Sequence, residues 1–534
     1  MSAEALGFPW WVRMAHFFNL LFTTLLIRSG IEIISGHPKF YWSDHGIPGT
    51  EWLRLGDEKR EPIEKEKRPS SEEDEDSSEE KIAVGDGAGV EIEAELETPT
   101  ESNTTDNDLW TAEDESDPYP SWLALPGKDN LGLGRHWHFW GALGWTLTGV
   151  IYVVLLFATP QWERLVPTSW AIFPQAWDNL ITYLQLQIPH ATGYNALQQL
   201  TYFSVIFILS PLMILTGLAM SPALRATFPR LLGRARQPAR SIHLIGMVVF
   251  VLFIIGHVGL VVAHGFWHEM GKIVLGTAGA PFWRTVAFTV LGLSIVIVFH
   301  IVATRESLRK PMRTKKLLEI GVDPLLDFLF YSRTADGLDA GRTSEYARVN
   351  GRPPRNEEYQ EHRKSDFADW TLDIDGLVEN PMTLSFDDLR DFEKQTQNTR
   401  HDCIQGWTYY AEWGGVRVAD LIEECQPTDE ANYAVFWTLD EKWEDPEVDG
   451  YYYEVIDMNT ASEPMTILAY EMNGEDLPIP HGGPLRLRGE SILGYKMAKW
   501  VCAVEFVEDY EDIGKGQGGW RDDTLNYLPS GAGL

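Results

Sequence analysis

Five long apolar stretches constrain the fold of this chain more than any other feature of its sequence. Each approaches the ~20 consecutive apolar residues that an α-helix needs to cross a lipid bilayer. Trp and Tyr residues stand at several of their ends, as they do at the interfaces of membrane proteins. Arg13, Arg28 and Glu32 flank or enter the first stretch, which is therefore the least regular. We predict a multi-pass protein of the plasma membrane with spans near residues 11–34, 138–158, 198–220, 242–263 and 283–303.

Charge is unevenly distributed along the 534 residues, which carry a formal net charge of −34. Residues 57–117 hold 24 Asp and Glu against 6 Lys and Arg, and residues 365–534 hold 36 against 11. Such an acidic chain lacks the basic surface that nucleic-acid binding requires. The acidic excess fits either an ordinary well-hydrated surface or a halophilic source. The three cysteines, Cys403, Cys425 and Cys502, form neither a disulfide framework nor a CxxC motif.

The composition divides the chain into five segments. Residues 1–56 hold the first span. Residues 57–120 form an acidic insertion that we expect to be disordered, because its small apolar surface cannot offset the entropy of ordering. Residues 121–304 hold the other spans, and residues 305–344 form a basic linker. Residues 345–534 show short apolar runs broken by Gly, Pro and Asp, which indicates an α+β domain with its own core. The predicted fold is multidomain, with an all-α five-span transmembrane bundle and an α+β soluble domain.

Five histidines lie in predicted spans, where ionisable residues are costly and often functional, and four of them fall into pairs. His243 and His257 are fourteen residues apart on one predicted helix, so they share a face and lie ~21 Å apart along its axis. The direction of each span places His16 at the depth of His257 and His138 at the depth of His243. A single membrane histidine is usually a packed residue, but imidazoles that pair across a bundle suit haem iron. We predict two b haems, one bound by each pair.

Several short motifs, taken in their order over residues 10–300, connect these histidines to a known family. They are Arg13-Met-Ala-His16, Ser29-Gly30, His138-Phe139, Tyr194-Asn-Ala-Leu-Gln198 and Leu215-Thr-Gly217. In this region the chain resembles the dihaem cytochrome b subunits of formate dehydrogenase (gamma) and thiosulfate reductase, which implies electron exchange with membrane quinone. Three roles are open for His300: a spare ligand, part of a quinone site, or a polar group that faces the bundle, which we favour. His264 and His268 are further candidates for a quinone site.

Cys403 differs from the other cysteines because it lies among polar residues and close to Gly406-Trp407. A soft thiolate of this kind suits a soft metal, whereas Cys425 and Cys502 are better explained as structural residues. About eighty residues later, basic side chains cluster in this otherwise acidic domain and can hold an anionic ligand. The clustered residues are His481, Arg486, Arg488, Lys496 and Lys499.

Cys403 followed by His481-Gly-Gly-Pro484 and Gly494–Trp500 resembles the molybdenum-cofactor domain of the sulfite oxidase family, over about residues 345–525. The resemblance implies a Mo-molybdopterin cofactor, with Cys403 as the catalytic residue and thiolate ligand of the molybdenum. In plan the chain is similar to bacterial reductases of methionine sulfoxide in proteins, which work with a membrane haem partner. The predicted cofactor-binding set joins positions matched to the family with neighbouring candidates: Asn350, His401, Cys403, His481, Arg486, Lys496 and Lys499.

The predicted function is that of a membrane-bound molybdenum oxidoreductase. It would transfer an oxygen atom to or from a small oxyanion such as sulfite, a sulfoxide or an N-oxide, and exchange electrons with quinone or quinol through two b haems. The alternative is a haem b electron carrier whose soluble domain is a non-catalytic docking module. Arginines between the third and fourth spans and basic residues after Thr304 lie on the side that carries the soluble domain. By the positive-inside rule that side is the cytoplasm, and the absence of a twin-arginine pattern near Met1 agrees.

Overall fold

The structure is a computed structural model that describes residues 8–56, 109–189, 193–232, 235–277, 279–330, 341–442 and 450–527. Most of the acidic insertion predicted at 57–120 lies outside these residues. Within them, the chain forms a bundle of long helices followed by a sheet-rich domain, as predicted.

Five helical stretches in the described part of the chain are long and apolar enough to cross a membrane, and they coincide with the predicted spans. Side-chain N-caps mark the start of two of these helices. Asn130 accepts a hydrogen bond from the backbone N–H of Leu133, and Asn195 forms a capping box with Gln198. The helices are α1 (Trp10–Ser35), α2 (Leu131–Phe157), α3 (Ile172–Leu184), α4 (Ala196–Ser204), α5 (Ser210–Ala219), α6 (Pro222–Thr227), α7 (Pro229–Leu232), α8 (Arg236–Ala263), α9 (Phe266–Val274), α10 (Phe282–Arg309) and α11 (Pro311–Phe330).

The bundle is built from helix pairs. Helix α1 packs along α2, and α5 packs along α8. Gly144 of α2 faces the ring of Phe22 on α1 so closely that no side chain would fit there. A π-helical turn, Val205–Leu209, joins α4 and α5 into the third span. Apolar side chains such as Leu252 are exposed on the outer face of the bundle, as expected of a surface that lipid covers.

The predicted linker at 305–344 is largely helical. Helix α11 follows α10 almost directly and packs against α2. Lys315 of α11 is fully buried, with Glu319 as its ion-pair partner at 4.0 Å. The same Glu319 carboxylate lies 3.5 Å from His136 Nε2 of the second span. This segment therefore fastens the end of the fifth span to the second.

The soluble domain has two sheets of five strands. One has the order β10-β9-β6-β5 with β11 beside β9, and the other has the order β4-β3-β12-β7-β8, in which only β3 and β12 run parallel. Buried side chains such as Trp413, Phe436 and Val504 form the core. The strands are β1 (Lys39–Phe40) and β2 (Leu53–Arg54) after α1, then β3 (Thr371–Gly376), β4 (Met382–Ser385), β5 (Lys394–Asp402), β6 (Thr408–Arg417), β7 (Tyr433–Lys442), β8 (Gly450–Asp457), β9 (Ile467–Met472), β10 (Glu475–Asp476), β11 (Arg486–Arg488) and β12 (Val501–Val507). The helices are α12 (Glu357–Lys364), α13 (Phe386–Asp391), α14 (Val418–Cys425), α15 (Met458–Ala461) and α16 (Trp520–Leu525).

The described end of the acidic insertion, residues 109–120, departs from the predicted disorder. Residues Ala112–Glu115 form a short 3₁₀ helix that packs on the soluble domain. Glu115 is buried, with His37 Nδ1 at 3.1 Å and Arg348 Nε at 3.4 Å. The prediction of disorder used only the number of charged residues in the segment. In the structure, these carboxylates are stabilised by specific cationic partners elsewhere in the chain.

Candidate haem and molybdopterin sites

The structure brings together the two histidine pairs that the span directions predict. The ring centroids of His16 and His257 are 6.2 Å apart, and those of His138 and His243 are also 6.2 Å apart. Two imidazoles on opposite sides of one metal ion, with metal–nitrogen distances of about 2.0–2.1 Å, would bring their centroids to about 6 Å. Both pairs therefore have a spacing that would let their imidazoles hold a haem iron.

Hydroxyl groups orient the His138–His243 pair, a feature that the sequence reasoning missed. Ser29 Oγ donates to Leu25 O at 2.8 Å, and Thr216 Oγ1 donates to Leu212 O at 2.8 Å. Each hydroxyl can then accept a hydrogen bond from an imidazole: Nδ1 of His138 lies 3.1 Å from Ser29 Oγ, and Nδ1 of His243 lies 2.9 Å from Thr216 Oγ1.

A proton on Nδ1 leaves the lone pair of Nε2 available for a metal, as is usual for metal-bound histidine. The signal was present in the sequence, because each hydroxyl residue precedes a glycine. A Cβ at Gly30 would lie 3.7 Å from the ring of His138, and one at Gly217 would lie 3.7 Å from the ring of His243.

The other pair adjoins a large cavity. Its volume is about 2180 Å³, and its lining includes His16, His257, Tyr194, Asn195 and His264. A pocket for one ligand is commonly about 300–1,000 Å³, so this cavity has room for a haem and a second ligand. The hydroxyl of Tyr202 lies 3.3 Å from His257 Nδ1, which again leaves Nε2 for a metal.

The remaining membrane histidines have local partners. His300 Nε2 lies 2.9 Å from Thr24 Oγ1, and its Nδ1 lies 2.9 Å from Arg28 Nη1, so both ring nitrogens are engaged within the bundle. Arg28 also donates to Ser121 O at 2.6 Å and thereby holds the loop before the second span. His268 is exposed, beyond the end of the fourth span.

Cys403 lies in the loop between β5 and β6. Its backbone N–H donates to Trp407 O at 3.1 Å, and its side chain is 1% exposed. Gly406 allows this tight turn because its φ is +109° and a Cβ there would meet the Arg240 side chain at 2.9 Å. Burial raises the pKa of the Cys403 thiol to about 12, although nearby Arg236 lowers it. A bound metal cation would therefore be needed to keep this sulfur as a thiolate.

Five of the predicted cofactor-binding residues line one cavity of about 70 Å³. Its lining also includes Arg348, Lys442, Arg521 and Trp407, the last from the cysteine loop. The cavity is smaller than a typical ligand site, because Lys499 Nζ folds onto backbone carbonyls and donates to Asn350 O at 2.6 Å. The five predicted residues are Asn350, His401, His481, Arg486 and Lys499.

The donor set of this cavity fits an anionic cofactor. Asn350 Oδ1 and Arg486 Nε are buried without a hydrogen-bond partner among the described residues. Burial beside Arg486 and Lys499 lowers the pKa of His481 to about 3. Burial, together with Arg486, also lowers the pKa of Lys499 well below its usual value. The cavity by itself therefore disfavours positive charge on these side chains, and an anion such as the pterin phosphate would stabilise that charge.

The structure does not bring Lys496 to this cavity. Its ammonium is buried in an ion cluster and donates to Asp522 Oδ2 at 2.5 Å, with Glu454 Oε2 at 3.0 Å. Although burial acts in the opposite direction, Asp522 and Glu454 raise the pKa of Lys496. The sequence could not separate this lysine from Lys499, because its acidic partners come from distant strands and helices.

His401 is held in the site by Arg488. Arg488 Nη1 lies 2.7 Å from His401 Nδ1, and Arg488 Nη2 lies 2.6 Å from Glu490 Oε1. Positive charge from Arg488 adds to the effect of burial, which lowers the pKa of His401 well below its usual value. His401 is therefore neutral at physiological pH.

A buried polar network connects the cysteine loop to helix α8, which carries His243 and His257. Arg236, at the start of α8, donates to Cys403 O at 2.8 Å and pairs with Asp402 at 3.1 Å. The next residue, Gln237, donates to Gly406 O at 2.8 Å. Since Arg236 precedes His243 by seven residues, or about 10 Å along the helix axis, the His138–His243 pair lies at the end of the bundle next to the soluble domain.

Comparison with known proteins supports both halves of this description. Residues 94–275 match the family of prokaryotic cytochrome b561, and residues 359–513 match the oxidoreductase molybdopterin binding domain. The chain therefore belongs to the oxidoreductase molybdopterin-binding family through its soluble domain and joins it to a cytochrome b561-type membrane domain. These matches confirm the predicted cytochrome b and molybdopterin domains.

Three curated relatives are similar to parts of the chain. A putative protein-methionine-sulfoxide reductase subunit YedZ1 from Azospira oryzae is 31% identical over 32% of this chain and 58% of its own length. The protein-methionine-sulfoxide reductase catalytic subunit MsrP from Campylobacter jejuni is 33% identical over 26% of this chain and 50% of its own. The uncharacterized oxidoreductase YuiH from Bacillus subtilis is 30% identical over 27% of this chain and 68% of its own. The chain spans about half the length of the first two relatives, YedZ1 and MsrP.

Proposed function

We propose that this protein is a membrane-bound molybdenum oxidoreductase that reduces a sulfoxide with electrons taken from quinol through two b haems. The overall reaction would convert a sulfoxide and a quinol to a sulfide, a quinone and water. The observation that carries the proposal is the direct contact between the Cys403 loop and the first turn of the helix that holds His243 and His257. Two relatives named as protein-methionine-sulfoxide reductase subunits match parts of the chain, which favours a sulfoxide over other oxo compounds.

The order of the sites supports a linear electron path. The large cavity beside His16 and His257 lies at the far end of the bundle and offers a place for quinol. The His138–His243 pair lies between that cavity and the Cys403 loop. His243 and His257 are fourteen residues apart on a continuous helix, so their haems would lie about 21 Å apart along its axis. Each electron would then pass through both haems before it reaches the soluble domain.

The cofactor, when bound, would supply the two-electron oxygen-atom transfer chemistry. The chain's own residues hold and orient it: Cys403 offers the thiolate, and Arg486 and Lys499 offer charge for the pterin phosphate. Neutral His401 is fixed by Arg488 beside the same cavity and would present a hydrogen-bond donor at Nε2. The loop from Cys403 to Trp407 excludes water from the sulfur, since both residues are buried.

Metal analysis combined with one substitution tests the proposal. Cys403→Ser should abolish reduction of methyl p-tolyl sulfoxide by a reduced quinol analogue, while the reduced b-type haem spectrum stays intact. Cys502→Ser, which changes a cysteine on β12 and not in the loop that Arg236 contacts, is the matched control and should keep full turnover. Purified wild-type protein without molybdenum, or unchanged turnover of Cys403→Ser, would refute the molybdenum proposal and favour the haem carrier with a docking module.

We also propose that the soluble domain faces the cytoplasm. The sequence prediction used arginines between the third and fourth spans. Three of them are buried in the structure and so are weak evidence for topology, namely Arg225, Arg236 and Arg240. The exposed basic residues of α10 and α11, including Arg309 and Lys316, still support the assignment. Protease added to intact cells should leave the soluble domain uncut; cleavage from outside would reverse the orientation.

A further inference from the structure

The short turn Ala112–Glu115, which precedes the second span, packs against the cysteine loop, and two of its carboxylates pair with arginines that line the molybdopterin cavity. Gln405 of the cysteine loop donates to Ala112 O at 3.4 Å, and Ala112 N–H donates to Val349 O at 2.8 Å, next to Asn350. The turn lies outside the residues matched by the molybdopterin family. It therefore adds side chains to the site that the family domain does not supply.

Carboxylates neutralise three of the five Lys and Arg side chains that line the cavity. Lys442 Nζ lies 3.0 Å from Asp440, Arg521 Nη2 lies 2.6 Å from Glu113, and Arg348 Nε lies 3.4 Å from Glu115. Two of these three carboxylates come from the turn. The other two cations have no carboxylate within ion-pair distance among the residues that the structure describes, and they are Arg486 and Lys499.

The unpaired cations and the neutralised cations of the cavity therefore have different roles. The two unpaired cations are the residues that match the pterin contacts, so an anionic cofactor would neutralise them. Once they are neutralised, the cavity has no remaining cation without a counter-charge. An anionic substrate would then gain no net attraction there, whereas a neutral oxo compound would pay no electrostatic penalty.

Glu113 is the most accessible of the three carboxylates. Its side chain is 39% exposed, compared with 10% for Asp440 and 2% for Glu115. It interacts electrostatically with Lys442 and Lys499 as well as with Arg521. Burial raises the pKa of Glu113, but Arg521 outweighs that effect and keeps it below the usual value, so the carboxylate is charged at neutral pH. Its charge also reaches the Cys403 thiol.

We propose that Glu113 is a specificity-determining residue that keeps the molybdopterin site closed to anions such as sulfite and sulfate and open to neutral oxo compounds. This inference rests on the proposed function, because it concerns the substrate of the same site. Glu113 neutralises Arg521, which lines the cavity and would otherwise attract an oxyanion by a charge-assisted hydrogen bond.

The test measures the binding of inorganic sulfate to the purified holoenzyme by titration calorimetry. Glu113→Gln should bind sulfate at least about tenfold more tightly than the wild type, because Arg521 loses its counter-charge. Glu471→Gln is the matched control: Glu471 pairs with Lys394 at 2.8 Å on the edge of the other sheet, and its loss should leave sulfate binding unchanged. Equal sulfate affinities for wild type and Glu113→Gln would overturn the proposal.

A double variant separates charge from shape and from folding. Glu113→Gln combined with Arg521→Gln removes both charges, so sulfate binding should return to the wild-type level; tight binding by the double variant would overturn the proposal. Haem spectra and molybdenum content report whether each variant is folded and loaded. Reduction of methyl p-tolyl sulfoxide by the reduced quinol analogue is measured in parallel. Failure of the wild type to reduce it would refute the proposed function, whereas the sulfate comparison, which needs no turnover, would still decide the role of Glu113.

Discussion

The carboxylate of Asp402 lies at the centre of the contact between the soluble domain and the membrane helices, and its removal is the sharpest test of that contact. Asp402 is fully buried and pairs with Arg400 at 2.7 Å, Arg236 at 3.1 Å and Arg225 at 3.3 Å. The substitution Asp402→Asn keeps the shape of the side chain and removes its charge. Its consequence depends on which of the three arginines keeps another counter-charge.

Two of the three arginines keep another counter-charge when Asp402 loses its own. Arg225 also lies 3.6 Å from Glu490, and Arg400 also pairs with Asp44. Among the described residues, Asp402 is the only carboxylate within ion-pair distance of the Arg236 guanidinium. The variant therefore leaves one buried cation uncompensated, which costs about 3–5 kcal/mol.

Thermal unfolding of the detergent-solubilised protein, followed by tryptophan fluorescence, measures this cost. For a domain of this size 1 kcal/mol corresponds to about 2–4 °C, so we expect the unfolding temperature of the soluble domain to fall by about 6–20 °C. Asp476→Asn is the control, because Asp476 pairs with Arg390 at 3.2 Å on the surface and such pairs contribute about 0–1 kcal/mol. A shift for Asp402→Asn no larger than that of the control would refute the reasoning.

Asp402 should also make the stability of the protein depend on pH, because part of that stability is lost in acid. Burial raises the pKa of Asp402, but Arg400 and Arg225 outweigh it and hold the pKa well below its usual value. A carboxyl with a lowered folded-state pKa stabilises the protein fully above the unfolded value of about 3.9 and loses that contribution as the pH falls further. Wild-type stability should therefore decline more steeply than that of Asp402→Asn below about pH 4. Parallel declines would contradict this assignment.

Four further substitutions test the haem and cofactor sites. Thr216→Val should weaken haem binding at His243 about 10–100-fold, because the imidazole loses the acceptor that orients it; a haem titration with unchanged affinity would argue against that role. His16→Ala should halve the haem content and leave one component in a redox titration, and retention of both haems would exclude His16 as a ligand. Lys499→Met should lower the molybdenum content, whereas Lys496→Met should lower thermal stability by about 3–5 kcal/mol and leave the molybdenum content of the folded fraction unchanged. The reverse pattern would exchange the roles of the two lysines.

The two histidine pairs show what the sequence can predict. The apolar stretches define the spans, each span reverses direction, and the position of a histidine within its span then gives its depth. His16 meets His257, and His138 meets His243, for this reason alone. No knowledge of side-chain packing was needed, since a bilayer restricts helices to a nearly parallel arrangement.

The hydroxyl groups of Ser29 and Thr216 lie beyond that reasoning, because their role depends on the rotation of one helix about its axis relative to another. The two lysines of the soluble domain show the same limit. Lys496 and Lys499 are three residues apart in the sequence, yet one pairs with Glu454 and Asp522 and the other lines the cofactor cavity. The partner of a buried charge comes from a distant segment, so composition cannot assign it.

Helix α8 unites these sites through its periodicity. Seven residues separate Arg236 from His243 and fourteen separate His243 from His257, and both spacings are close to whole numbers of helical turns. All three side chains therefore lie near one face, about 10 Å and then about 21 Å apart along a single rigid element. Arg236 contacts the carbonyl of Cys403, so the same helix that sets the separation of the two haem sites also positions the cysteine loop. The distances of the proposed electron path are consequently fixed by one helix, and they do not depend on the acidic segment that separates the first two spans in the sequence.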